Sequence, residues 1–348
     1  MTTKPYSVRD RVVGAYMGAA AGDALGGPIE GWHAGMIKAA HGKVERFLPY
    51  TRPLRPGYAL HAEPGAVTDD TYIRNDFAAY VLTFAKEKDR TPEVLARWLL
   101  KNAHFEWWWP PAVNVLRKVE AGEPFEKTRA VLMGGGAAWW TPFGLVHAGD
   151  PAAAYGETER HAIIWRLPFE QNLIAATQAG VAASVTDGAT VESVSETVMT
   201  YAGPLARKLL GRAQRIAKEH DGDLDGFVRA IYAECLVTEC TGEIDGPMPK
   251  AAVASDPYRG ATVLWAEQIP LAFAAFTHGK GDFMNTMVSC ASLGRDTDSI
   301  ASTCGSWIGG LVGLKGMPAD WVNAMQTVNS KEMDLLGIAN KMADAARA

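Results

Sequence analysis

The chain has little cysteine, little strict apolar–polar alternation and no long apolar run, and each shortage excludes something. Only four cysteines occur, Cys235, Cys240, Cys290 and Cys304, and none is spaced as CxxC. They stand beside small residues in apolar segments, so buried free thiols in a reducing cytosol are expected rather than a metal–thiolate site or a disulfide framework. No apolar stretch approaches the ~20 residues that span a bilayer. The opening Met1-Thr2-Thr3-Lys4-Pro5-Tyr6 lacks the apolar core of a secretory signal. A soluble, cytoplasmic protein is expected. An excess of positive charge is also missing: the formal net charge is −5, which gives no electrostatic reason to bind nucleic acid or an anionic membrane.

What is present is helical patterning rich in alanine and glycine. Ile73, Phe77, Tyr80, Val81 and Phe84 recur at steps of three and four, as one face of a helix requires. Val94, Leu95, Trp98 and Leu99 do the same behind Thr91-Pro92-Glu93, a cap followed by proline at the first helical position. Similar segments are predicted over roughly 170–186, 189–219, 222–237, 260–278, 281–292, 298–315, 318–328 and 331–346, with further starts at Asp150-Pro151 and Pro318. Non-helical stretches are predicted at 42–67, 133–145 and 241–258, where glycine or proline accumulates. The reading is all-α. No internal repeat and no convincing divider is visible, so a single domain over 1–348 is expected.

Two short acidic clusters stand out, Thr68-Asp69-Asp70-Thr71 and Gly294-Arg295-Asp296-Thr297-Asp298-Ser299, each leading into an apolar helical run. Thr and Asp are ordinary helix caps, and the helix dipole favours negative charge there, so each cluster alone also reads as a helix start. Together they offer more. Aspartates at i and i+2 in a helix-leading turn can aim two carboxylates at one point, with a neighbouring hydroxyl as a third oxygen. Two such turns facing each other need cations to offset their repulsion, and hard ions such as Mg²⁺ or Mn²⁺ take such oxygen ligands.

At this point the chain resembles the ADP-ribosylglycohydrolase family, which includes dinitrogenase reductase-activating glycohydrolases and crystallin-like proteins. Gly18-Ala19-Ala20-Ala21-Gly22-Asp23-Ala24-Leu25-Gly26-Gly27-Pro28-Ile29-Glu30 is similar to the family's GDALG-x-P-x-E opening. Thr68-Asp69-Asp70-Thr71 matches its TDDT, and Gly294 to Ile300 resembles its GGDTDT, followed by the small-residue helix Gly305 to Gly313. The resemblance implies a compact orthogonal helical bundle with a central cleft for two divalent cations, Mg²⁺ or Mn²⁺. It implies Thr68, Asp69, Asp70, Asp296, Asp298 and Ser299 as metal ligands and Glu30, Asp69 and Asp298 as the catalytic candidates. Asp23 is expected to be structural, capping the turn between the first helix and Gly26.

The middle of the chain departs from the family. Where members carry a stretch like NGAAMR-x-x-P-x-G, this one has Gly134-Gly135-Gly136-Ala137-Ala138-Trp139-Trp140-Thr141-Pro142-Phe143-Gly144. Gly134, Gly135, Gly136, Trp139 and Arg295 are therefore the expected substrate-contacting positions, with glycine amides able to form an anion-binding nest. The run Trp107-Trp108-Trp109 reads either as a seal between helices or as a stacking platform for sugars and purines. His33, His104, His147 and His161 read as structural or surface residues, while His61, in the proline-rich loop ahead of Thr68, is the one singled out.

The activity implied is hydrolysis of a ribosyl C1″ bond, releasing ADP-ribose from a modified protein side chain or small acceptor. One alternative is cleavage of a smaller nucleoside-like or ribosylated metabolite. The other is a non-catalytic binding or crystallin-like role.

Overall fold

Prolines and short polar residues cut the chain into helices in a computed structural model that describes residues 7–50, 63–128, 136–236 and 267–346. Seventeen α-helices lie in these segments, and no strand does. The first third holds α1 (Val8–Gly26), α2 (Ala34–His41), α3 (Asp69–Thr83), α4 (Pro92–Asn102), α5 (Pro110–Glu120) and the short α6 (Phe125–Thr128). The middle holds α7 (Thr141–Val146), α8 (Pro151–Ala162), α9 (Pro168–Ser184), α10 (Val191–Tyr201), α11 (Pro204–Glu219) and α12 (Leu224–Glu234). The last part holds α13 (Ile269–His278), α14 (Phe283–Leu293), α15 (Thr297–Val312), α16 (Ala319–Asn329) and α17 (Leu335–Ala345). Thr91, Asp150, Thr190, Asp223, Asp282 and Asp334 cap helix starts by accepting a backbone N–H through their side chains, filling donors that the helix itself leaves unpaired.

The all-α expectation holds, with two corrections. The single helix expected over 189–219 is broken: Ala202 and Gly203 are extended, and Pro204 opens α11. A residue before proline is pushed out of the helical region, which ends α10 there. The stretch 133–145 is less irregular than expected, because Ala138–Trp140 forms a 3₁₀ turn that runs into α7. The loops at 42–67 and 241–258 fall partly or wholly outside the described residues, as do His61, Gly134, Gly135 and Cys240. Cys235, Cys290 and Cys304 are buried free thiols.

One helix pair sets the geometry of everything near the acidic turns. Gly14, Gly18, Gly22 and Gly26 recur every fourth residue on α1, facing Gly309, Gly305, Ala301 and Asp298 of α15 in that order. A Cβ at any of the four would overlap the backbone opposite, so only glycine permits the approach. The order is antiparallel. It lays the end of α1 against the start of α15, and so brings residues 23–30 to Asp298. Aromatic packing fixes α3 from behind: Phe77 meets Trp108, Trp140, Phe143 and Trp165. The tryptophan run divides accordingly. Trp108 is buried and donates its indole N–H to Asp76 at 2.8 Å. Trp107 is buried in a 3.7 Å stack on Tyr72, and Trp109 alone is exposed. Sealing is what Trp107 and Trp108 do.

Among the described residues no helix is long and apolar enough to cross a membrane.

Candidate metal and active site

Three chain segments converge at the end of α1. The first is the turn that carries Glu30. Its backbone is zipped to the second acidic turn by Gly31 N–H to Arg295 O at 2.6 Å, Arg295 N–H to Trp32 O at 2.8 Å and an isolated antiparallel bridge between His33 and Gly294. Gly294 has φ of 66°, a left-handed conformation that glycine adopts without strain. A Cβ there would also overlap the Trp32 carbonyl. The zipper delivers Glu30 to Asp296 and Asp298: one carboxylate oxygen from each of the three lies within 4.8 Å of the others.

The third segment is the start of α3. Thr68 caps this helix, its hydroxyl accepting the Asp70 N–H at 3.3 Å, so the helix-start reading of this cluster is correct as far as it goes. Thr68 Oγ1 also donates to Asp23 at 2.5 Å and lies 3.2 Å from an oxygen of Asp298. Ser299 Oγ donates to Asp70 at 2.7 Å, joining the two acidic turns directly. The second turn behaves differently. Asp296 occupies the cap position of α15 and makes no capping hydrogen bond through its side chain; Gln268 donates its amide to it instead. Asp69 is half-buried at the first position of α3.

Burial and mutual repulsion govern the charges. Burial pushes the Asp298 carboxyl well above the usual range, with Glu30, Asp296 and Asp70 adding to the rise. Asp70 is raised as well, chiefly by burial, although hydrogen bonds from Ser299 and Trp139 pull the other way. Such a set of oxygens suits a hard divalent cation, which would reverse the sign of the local field. The donor chemistry fits the expected group: Asp70, Asp296 and Asp298 supply carboxylates, with Thr68 and Ser299 hydroxyls beside them.

Two residues beside this site act in ways the sequence does not indicate, Asp23 by its partners and Arg74 altogether. Asp23 is fully buried within α1 and does not cap the turn before Gly26 as expected. It accepts from the backbone N–H and the hydroxyl of both Thr68 and Thr71, so it anchors the first turn of α3. Burial, then the charge of Asp70, raises it to about 6. Arg74, fully buried one turn further along α3, lies over the Tyr16 ring at 4.7 Å and reaches Thr71 and Ser302. Its cation lies under the acidic cluster and opposes the rise at Asp70.

The expected substrate-contacting positions are placed as follows. Trp139 is buried and donates its indole N–H to Asp70 at 2.5 Å. Gly136 lies beneath it, where a Cβ would come 2.6 Å from the indole ring. Arg295 has φ of 67°, and its fully buried guanidinium forms a two-pronged ion pair with the equally buried Glu267 at 2.5 and 3.1 Å. Of the histidines named from the sequence, His33 caps α2, His104 pairs with Asp76, and His147 pairs with Glu157, whose backbone carbonyl His161 contacts.

Comparison with known proteins covers nearly the whole chain. The family model described as ADP-ribosylglycohydrolase matches residues 4–348. A protein of Archaeoglobus fulgidus described as uncharacterized is 27% identical over 316 residues, covering 89% of this chain and 90% of that protein. The protein YegU of Escherichia coli, also described as uncharacterized, is 26% identical over 336 residues, covering 93% and 94%. Among solved structures, an ADP-ribosylglycohydrolase-related protein complex superposes with a TM-score of 0.64 at 18% identity, over 98% of this chain and 99% of that one. That likeness establishes the fold.

Proposed function

The chain belongs to the ADP-ribosylglycohydrolase family, and from that premise we propose that it is a divalent-cation-dependent hydrolase of ribosyl C1″ bonds, removing ADP-ribose from a modified protein side chain or small acceptor. The observation that carries this reading is the meeting of Glu30, Asp296 and Asp298 within 4.8 Å, with Asp70 tied to Ser299 across the same space.

Thr68, Asp69, Asp70, Asp296, Asp298 and Ser299 would hold two cations, Mg²⁺ or Mn²⁺. When bound, these supply positive charge that orients vicinal hydroxyls and acidifies water. The chain's own groups do the rest. Glu30, half-buried at the rim of the cluster, is placed to take a proton from the attacking water, with Asp69 and Asp298 as the other candidate acceptors. Ionised carboxylates around the anomeric carbon stabilise an oxocarbenium-like transition state. Gly134, Gly135 and Gly136 are assigned to substrate binding through their amides, whereas Arg295, its guanidinium taken by Glu267 and its backbone by Gly31 and Trp32, serves substrate binding by holding the Glu30 turn in place. Trp139 contributes by fixing Asp70. One continuous apolar core from Val12 to Ala343 supports operation as a single domain.

A second reading is favoured by Trp139. An indole bound to Asp70 stands where the family motif carries a polar side chain, which suits a smaller ribosylated metabolite or nucleoside.

Product analysis by mass spectrometry separates the two. The protein, with Mg²⁺ or Mn²⁺ and with an EDTA control, is incubated with ADP-ribosylated arginine, ADP-ribosylated serine and a nucleoside panel. EDTA-sensitive release of ADP-ribose supports the first reading, and cleavage confined to nucleosides supports the second. Absence of any turnover contradicts both and leaves the binding role.

A further inference from the structure

Tyr50 was not singled out by its sequence context, and its hydroxyl is anomalous. It is buried, and it has no hydrogen-bond partner. Buried polar atoms are nearly always paired, so an orphan of this kind calls for an explanation, and beside the acidic cluster a partner arriving from outside is one. Its location makes the partner's chemistry readable. The hydroxyl lies over Gly27, where a Cβ would overlap it and would come 2.6 Å from the Thr68 methyl. It is thus wedged between the Glu30 turn and the cap of α3. Glycine at position 27 is what leaves room for the phenol.

We propose that Tyr50 is a substrate-contacting residue of the cleft, its hydroxyl donating a hydrogen bond to an oxygen of an uncharged, hydroxylated part of the substrate. This rests on the hydrolase reading above and deepens it. The carboxylates of Glu30, Asp69, Asp296 and Asp298 accept hydrogen bonds when ionised and donate none. A sugar hydroxyl brings both a proton and lone pairs; the cations would take the lone pairs of the hydroxyls they bind, and any further sugar oxygen needs a donor from the protein. Tyr50 supplies it. A phenol of ordinary acidity keeps its proton throughout the neutral range. The hydroxyl-rich sugar is the part of an ADP-ribosyl group that fits beside such a donor.

The test compares wild type with Tyr50→Phe, which keeps the ring and removes only the oxygen. Melting temperatures are measured without ligand, and ADP-ribose affinity is measured by calorimetry on the Mg²⁺-loaded proteins. The variant is expected to melt no lower than wild type without ligand, because an unpaired buried hydroxyl is lost, and to bind ADP-ribose about tenfold more weakly. A lower melting temperature in the ligand-free variant, or undiminished affinity for ADP-ribose, overturns the assignment and leaves the hydrolase reading intact. Failure of the wild type to bind ADP-ribose overturns both.

Discussion

The Cβ that Gly26 lacks would lie 2.5 Å from the Cα of Asp298. The last residue of α1 and a central carboxylate of the acidic cluster are thus in backbone contact, and the glycine stripe of α1 is part of the site's construction as well as of the fold. Gly26→Ala should force the two helix ends apart. A loss of about 1–3 kcal/mol is expected from overpacking alone. Because the displaced group is Asp298 itself, divalent-cation affinity should fall with it. Urea unfolding and a cation titration on the same variant measure both. A destabilised variant with wild-type cation affinity would show that the contact matters only for folding.

Trp139 bears on the site through Asp70. Replacing it by Phe keeps an aromatic ring over Gly136 and removes the N–H that Asp70 accepts at 2.5 Å. Groups that orient metal ligands typically change affinity by about 10–100-fold when removed. Mg²⁺ affinity of Trp139→Phe, measured by calorimetry, is expected to drop at least about tenfold with the helical content unchanged.

Much of this was legible in the chain. Thr68, Thr91 and Asp150 announced their helices because capping is local chemistry, readable within four residues. The two acidic turns were conspicuous for the same reason. What could not be read was longer in range. Asp23 is embedded in a run of alanine and glycine, and its role depends on two threonines about 45 residues away. The pairing of Trp32 with Arg295 and the burial of Arg295 against Glu267 are tertiary facts with no local signature. In the sequence Arg295 reads as a substrate-contacting position in a functional motif. The break at Gly203-Pro204 was within reach, since proline after an extended residue is a helix boundary, but the strong apolar periodicity on both sides masked it.

Arg295 gives a stability test. The pair with Glu267 is fully buried on both sides, and removing one partner from such a pair leaves an uncompensated charge at about 3–5 kcal/mol. Arg295→Met should therefore be strongly destabilised in urea. Combining it with Glu267→Leu should recover most of the loss. If the single variant is as stable as wild type, the pair does not hold the acidic turn.

Acid lability should arise far from the cleft. Burial pushes the Glu157 carboxyl up, but hydrogen bonds from Arg90 and His147 outweigh it and hold it at about 2. Burial lowers the His161 imidazole to about 4. Both folded values lie below the unfolded ones, so in both cases the unfolded chain binds more protons and stability rises with pH. The His161 contribution is lost as pH falls from about 6.5 to 4, and that of Glu157 as pH falls from about 4.5 to 2, each worth about 3 kcal/mol. Between pH 7 and 4 the raised Asp23 carboxyl works in the opposite direction, so the expected outcome is comparative: the melting temperature of wild type falls more steeply, or rises less, than that of His161→Gln. An unchanged slope in the variant would place the acid sensitivity elsewhere.

Calorimetric titration of Mg²⁺ and Mn²⁺ into wild type and Asp298→Asn decides whether the two acidic turns form a cation site. Wild type should bind two equivalents per chain. Asp298→Asn, which keeps the shape and removes a charge from the middle of the cluster, should bind at least about tenfold more weakly while melting as one cooperative unit. Absence of saturable binding to wild type, or identical isotherms for the two proteins, would contradict the claim.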